Sequence, residues 1–235
     1  MKTFKVLSAL LSYPTQGLIG AVPEFPAILD AEKVVPAACR EALDLLIEEI
    51  AVGEVYDLQE RFGLLFDRSK TLALHLFEHV HGESRDRGQA MVDLKAMYEK
   101  AGLFIAASEL PDYVPLFLEF LSTQPLAEAR ELLGQTAHIF AALAERLGRR
   151  QSSYKAVFDA LVAISAAAPS REIVDELLKG IDPDPMDLEA LDAAWEEEEV
   201  RFGPSAQGQG GCGHEGLIAK LRHARRAVDP APRPQ

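Results

Sequence analysis

Apolar residues in this chain recur three and four positions apart in one segment after another, and they nowhere alternate with polar ones over a useful length. That spacing matches the 3.6-residue period of an α-helix and gives a β-strand no consistent buried face. Met1 to Leu11 puts Phe4, Leu7, Leu10 and Leu11 on one side, and Tyr13-Pro14 interrupts it. Residues 18–35 contain Pro23 and Pro26 and predict a short helix with irregular flanks. Pro36 to Val52 predicts a firmer helix, with Leu43, Leu46, Ile47 and Ile50 inward and Glu41, Asp44, Glu48 and Glu49 outward. Val55 to Phe66 predicts another. Downstream, Leu126 to Arg149 predicts a long helix that buries Leu132, Leu133, Ile139, Phe140, Leu143 and Leu147, with His138 as a structural histidine. Ser152 to Ala167 follows, striped by Tyr154, Val157, Phe158, Leu161 and Ile164, and Pro169 opens a short helix ending at Gly180. Ala, Leu and Glu dominate, as helices prefer. The fold class is all-α: a single-domain bundle of roughly ten helices over residues 1–202, then a flexible Gly-rich linker and basic tail over 203–235.

Composition narrows the function. At 235 residues and 48% hydrophobic, the chain can bury a sizeable core. A net charge of -13 excludes binding to a nucleic-acid backbone, which needs a basic surface, and favours a basic partner. Cys39 and Cys212 lie far apart in unlike contexts, so neither a disulfide framework nor a paired-cysteine metal site is expected. No targeting segment is recognisable, and the first apolar stripe is too short to span a bilayer. A cytoplasmic location without stable membrane insertion is the expectation.

Charge is also distributed unevenly. Asp182 to Glu199 holds nine carboxylates, no Lys or Arg, and a single aromatic, Trp195. It is either a solvated helix edge or a surface that steers a cationic peptide. Residues 203–235 carry five basic and two acidic side chains, a net of +3, which leaves -16 on the rest. Gly216 to Val228, with Arg222, Arg225 and Arg226, predicts a short basic helix, and the basic tail is expected to dock on the acidic 182–199 region in cis or to touch membrane lipid.

The densest chemistry lies between Leu64 and Leu121. Leu72, Leu76, Phe77 and Val80 predict a helix over 71–80, ended by Gly82. A second helix is expected from about Gly88 to Lys100, with Ser84 as its cap. His79, His81, Glu83, Arg85, Asp86 and Arg87 are thereby gathered in one corner, read either as a solvated turn of salt bridges or as a polar rim beside a binding surface. Next comes Glu109-Leu-Pro-Asp-Tyr-Val-Pro-Leu-Phe-Leu-Glu-Phe-Leu121. Pro111 suits a first helical turn, with Asp112 beside it. Leu116, Phe117, Phe120 and Leu121 form a broad apolar face, with Glu119 set among them. His75, Glu78 and His79 match the H-x-x-E-H pattern of inverted zinc peptidases, a weak signal with no third ligand in view. No glycine-rich phosphate loop, nucleophile elbow or Cys–His pair is present, so no cofactor of its own is expected.

The run FEHVHGESRDRGQAM, followed by ELPDYVPLFLEFL, closely resembles the NarJ family of respiratory nitrate reductase assembly chaperones. The wider group of redox-enzyme maturation chaperones carries a similar E-x-P-D-(H/Y) helix start. A weaker likeness extends from Leu7-Ser-Ala-Leu-Leu-Ser-Tyr-Pro14 to Leu191-Asp-Ala-Ala-Trp-Glu-Glu-Glu198 and the Gly-Cys-Gly at 211–213. The resemblance implies an all-α fold and no catalysis. It implies binding of the immature catalytic (alpha) subunit, including its N-terminal peptide, while molybdenum cofactor is inserted. On that basis Leu116, Phe117 and Phe120 are expected to floor a peptide groove, with Tyr113 nearby. Glu119 and Asp112 would pair with peptide Lys or Arg; Glu83, Arg85 and Arg87 would form the rim; His79 and His81 would make affinity pH-dependent. The rival from another class is a helical adaptor that stays in the mature complex.

Overall fold

The structure, a computed structural model, describes residues 1–79, 85–105, 109–179, 182 and 189, with Arg85 and Asp86 described by backbone only. Among them are ten α-helices: α1 (Lys2–Leu10), α2 (Gln16–Ala21), α3 (Phe25–Glu32), α4 (Ala37–Val52), α5 (Val55–Phe66), α6 (Arg85–Lys100), α7 (Val114–Thr123), α8 (Leu126–Arg149), α9 (Lys155–Ile164) and α10 (Arg171–Leu177). Single 3-10 turns occupy Val22–Glu24, Lys70–Leu72 and Leu76–Glu78. The described residues hold no β-strand, only one isolated antiparallel bridge between His75 and Tyr113. The all-α expectation is met.

Two helix pairings organise the core: α8 against α9, and α1 against α7. α9 buries Val157, Phe158, Ala160, Leu161 and Ile164 almost completely, so it runs through the middle, with α4 and α8 both packed on it. Tyr154, just before α9, meets Phe66 of α5 edge-on at 5.2 Å between ring centroids. α1 covers α7 and is itself anchored at both ends. The Glu32 carboxylate of α3 accepts from the Lys2 and Thr3 amides at 2.8 and 2.7 Å, satisfying donors that a helix start leaves over. Buried Ser8 Oγ donates to the Pro115 carbonyl at 2.8 Å, pinning α1 to the first turn of α7.

Several boundaries match the periodicity, and Val55–Phe66 and Leu126–Arg149 do so residue for residue. Leu132 is only partly buried, unlike the five other residues expected to face inward on α8. The helix expected over 71–80 is absent from its described part. Leu72, Leu76 and Phe77 are buried as their spacing requires, yet the backbone pairs elsewhere. Leu76 N donates to the Asp112 carbonyl at 3.0 Å, and Val114 N to the Leu74 carbonyl at 2.9 Å. Amides given to another segment cannot close i→i−4 bonds. Pro111 does not open α7 either: the helix begins at Val114, and it is Pro115 that sits in the first turn. α6 starts at Arg85 rather than Gly88. The expectations for Val80, the Gly82 stop, the Ser84 cap, the acidic stretch beyond Asp182 apart from Glu189, and the 203–235 tail lie outside the described residues.

Candidate functional site

The segment 70–79 and the entry to α7 meet around one carboxylate. Asp112 has no exposed surface. Its Oδ2 accepts from the Phe77 amide at 3.1 Å, and its Oδ1 accepts from His75 Nδ1 at 3.2 Å. The expectation that Asp112 meets a peptide cation is therefore corrected: both oxygens are already engaged by this chain, and a buried carboxylate needs such partners. Beside it, the His75 and Tyr113 rings lie 5.4 Å apart. The hydrogen bond to Asp112 raises the His75 pKa above its ordinary value; burial opposes this, and the charges of Asp112 and Glu78 assist. Burial, with lesser help from Glu109 and Asp67, pushes the Tyr113 hydroxyl up to about 12. Tyr98 of α6, buried to 1%, donates to the Pro111 carbonyl at 2.8 Å and lies 4.9 Å from the Phe120 ring.

His79 behaves differently. Its Nε2 donates to the Ala73 carbonyl at 2.7 Å. Burial pushes its pKa down to about 4, despite that bond. A histidine held that low does not change its charge between pH 6 and 8, which speaks against His79 as a pH-sensitive rim residue. Arg87 donates to Glu78 at 3.4 Å, and both are partly exposed. His81, Glu83 and the Arg85 side chain lie outside what is described. The zinc-peptidase pattern also dissolves. His75 is extended and Glu78 ends a 3-10 turn, so the histidines do not share an α-helical face. Among the described residues no group of three or more His, Cys, Asp or Glu is placed to hold a metal.

α7 divides the remaining candidates by its two sides. Phe117 is fully buried and Phe120 is 3% exposed, both in the core beneath α1 and α6, so neither floors an open groove. Tyr113, Leu116, Glu119 and Thr123 form the opposite stripe, partly exposed at Tyr113 and Leu116 and exposed at Glu119 and Thr123. Glu119 is thus on the solvent side and carries no desolvation cost. Phe104, shortly after α6, is 76% exposed, and Leu110, shortly before α7, is 45% exposed.

One organising residue escaped the sequence reading. Arg146 of α8, 4% exposed, donates Nη1 to the Thr71 carbonyl at 2.8 Å and Nη2 to the Leu177 carbonyl at 2.6 Å. It ties the 70–72 turn and α10 to the long helix. An arginine in an otherwise apolar helical stripe was its only signal.

Fold and site together define an all-helical protein with an ordered aromatic–acidic ledge and, among its described residues, no catalytic constellation. Residues 32–160 match the nitrate reductase delta subunit family, and the chain belongs to it. It is 40% identical over 227 residues to the nitrate reductase molybdenum cofactor assembly chaperone NarJ of Escherichia coli K12, covering 96% of this chain and 93% of that one. It is 40% identical over 202 residues to a probable chaperone of the same kind, NarW, from that strain, covering 86% and 84%. With the probable NarJ of Bacillus subtilis 168 it shares 31% identity over 173 residues, covering 74% and 93%.

Proposed function

We infer that this protein is a dedicated assembly chaperone of respiratory nitrate reductase, one that binds the immature catalytic subunit and supports insertion of molybdenum cofactor into it. The observation that carries this reading is the 40% identity with an assembly chaperone across 96% of the chain. The protein catalyses no reaction; the cofactor is cargo of the client. No helix among the described residues is long and apolar enough to cross a membrane, and a cytoplasmic site of action is part of the proposal.

The client's N-terminal peptide is proposed to lie along the outward stripe of α7. Leu116 and Tyr113, with Leu110 and Phe104 beyond them, offer apolar surface to one side of an amphipathic segment. Glu119 and Glu109, both exposed, offer charge to its Lys or Arg side chains. Arg87 and Glu78 edge the ledge from α6 and the 76–78 turn. Asp112, Phe117 and Phe120 serve this surface from behind by fixing the helix that presents it.

The test is capture of the apo catalytic subunit, with and without its first residues, by the chain and by Leu116→Glu. Capture of the intact subunit is expected, with a loss when the first residues are removed and a similar loss in the variant. Capture undiminished in both cases would remove the peptide reading, and no capture at all would remove the chaperone reading. Co-purification with active reductase at fixed ratio would instead identify a permanent subunit.

A further inference from the structure

A second surface stands apart from α7. Leu45, Val52 and Tyr56 are 61%, 78% and 79% exposed, three bare apolar side chains within twelve residues of sequence. Leu45 and Val52 lie seven residues apart on α4, so they share its outward face, and Glu41 and Glu48 fall on the same stripe. Tyr56 opens α5 just past the turn at Gly53. Residues 41–60 hold seven carboxylates and no Lys, Arg or His. Arg40 engages Asp44, and Arg61 engages Glu49. The other five, Glu41, Glu48, Glu54, Asp57 and Glu60, have no cationic partner among the described residues. An exposed apolar patch rimmed by one sign of charge is a surface built to be covered.

We propose that this face docks the chain's own basic segment, residues 216–228. The two surfaces are complementary in spacing as well as charge. In that segment Leu217, Leu221, Ala224 and Val228 follow the same i, i+4, i+7, i+11 order as Glu41, Leu45, Glu48 and Val52. Lys220, Arg222, Arg225 and Arg226 fall off that stripe, and the segment has no acidic residue. Coiled helically, it presents an apolar strip to Leu45, Val52 and Tyr56 and basic flanks to the five carboxylates. Residues 178–215, 38 in all by the difference 215 − 177, separate it from α10. Attachment then holds the segment at about millimolar effective concentration, so weak contacts suffice. The acidic 182–199 stretch offers charge with a single aromatic, Trp195, whereas the α4–α5 face offers charge together with three bare apolar side chains. This inference does not rest on the peptide surface of α7.

The chain carries its own probe site. Cys212 lies four residues before the segment, and Cys39→Ser leaves it as the sole thiol. With a nitroxide on Cys212, amide signals of residues 41–56 should lose roughly half or more of their intensity, as expected for a tethered segment held in place. Arg222→Glu with Arg225→Glu and Arg226→Glu should restore them, and so should Leu45→Lys with Val52→Lys on the facing surface. Both sets change exposed or tail positions and keep the fold testable; if Cys39→Ser proves unstable, Cys39→Ala replaces it. Raising the salt should also restore the signals. Undiminished α4–α5 signals would overturn the proposal, as would broadening confined to residues 182–199. The same broadening between separate labelled and unlabelled chains, scaling with concentration, would assign the surface to a second copy and overturn docking within one chain.

Discussion

Asp112 reaches back 37 positions in sequence to receive His75 Nδ1 at 3.2 Å, with none of its own surface in contact with solvent. The same carboxylate holds the Phe77 amide, so one side chain fixes both the 75–79 segment and the entry to α7. The outward stripe of Tyr113, Leu116 and Glu119 owes its orientation to this junction.

Asp112→Ala should therefore destabilise the fold by about 2–3 kcal/mol, because it strips a buried amide of its acceptor as well as breaking the histidine bond. Urea unfolding should show a lower midpoint at unchanged slope. A midpoint equal to wild type would mean that the junction does not hold the segment.

The two histidines should respond to pH with opposite sign. His79 is held near 4 in the fold, against an ordinary value of 6.5, so the unfolded chain takes a proton that the fold refuses. Stability is expected to fall as pH drops from about 6.5 toward about 4, and His79→Gln should flatten that limb. His75 is raised, so its contribution is full below about 6.5 and is lost as pH rises through its folded value. His75→Gln should remove that gain and leave the acid limb in place. Thermal melts of both variants between about pH 4 and 8 measure the two effects. An acid limb that survives in His79→Gln unchanged would contradict a neutral, desolvated imidazole at this position.

The two sides of α7 should separate cleanly under mutation. Phe120→Ala opens a cavity against Tyr98 and should cost about 3–5 kcal/mol. Glu119→Ala, on the solvent side, should stay within about 0.5 kcal/mol of wild type. Only the second is expected to change client affinity without changing the melt, which calorimetry on the folded variants would read directly.

Arg146→Leu should release two segments at once. Two carbonyls lose a charged donor, at a combined cost of about 2–4 kcal/mol. Amide exchange should quicken in α10 and around residues 70–72, while α9 stays protected. Uniform exchange across the molecule would show that Arg146 is not a local tie.

Helix positions were largely legible because periodicity and proline act locally: α5 and α8 fall where their apolar spacing puts them. The segment 71–79 departs from its helical spacing for a reason that spacing cannot carry. Leu72, Leu76 and Phe77 have helical spacing and are buried, yet the Leu76 and Phe77 amides bond to Asp112, far along the chain. The aromatic helix was recognised, but which of its faces meets solvent was not, since both Phe120 and Leu116 read as apolar.

The sequence by itself determined an all-α protein, its acidic balance and its family likeness, because these depend on composition, local period and a long matching motif. The tertiary structure alone decided that Asp112 is a buried acceptor, that Phe117 and Phe120 face inward, and that His79 bonds the Ala73 carbonyl. Burial and hydrogen-bond partners are properties of segments brought together from afar, and a linear order of residues does not state which distant groups will meet.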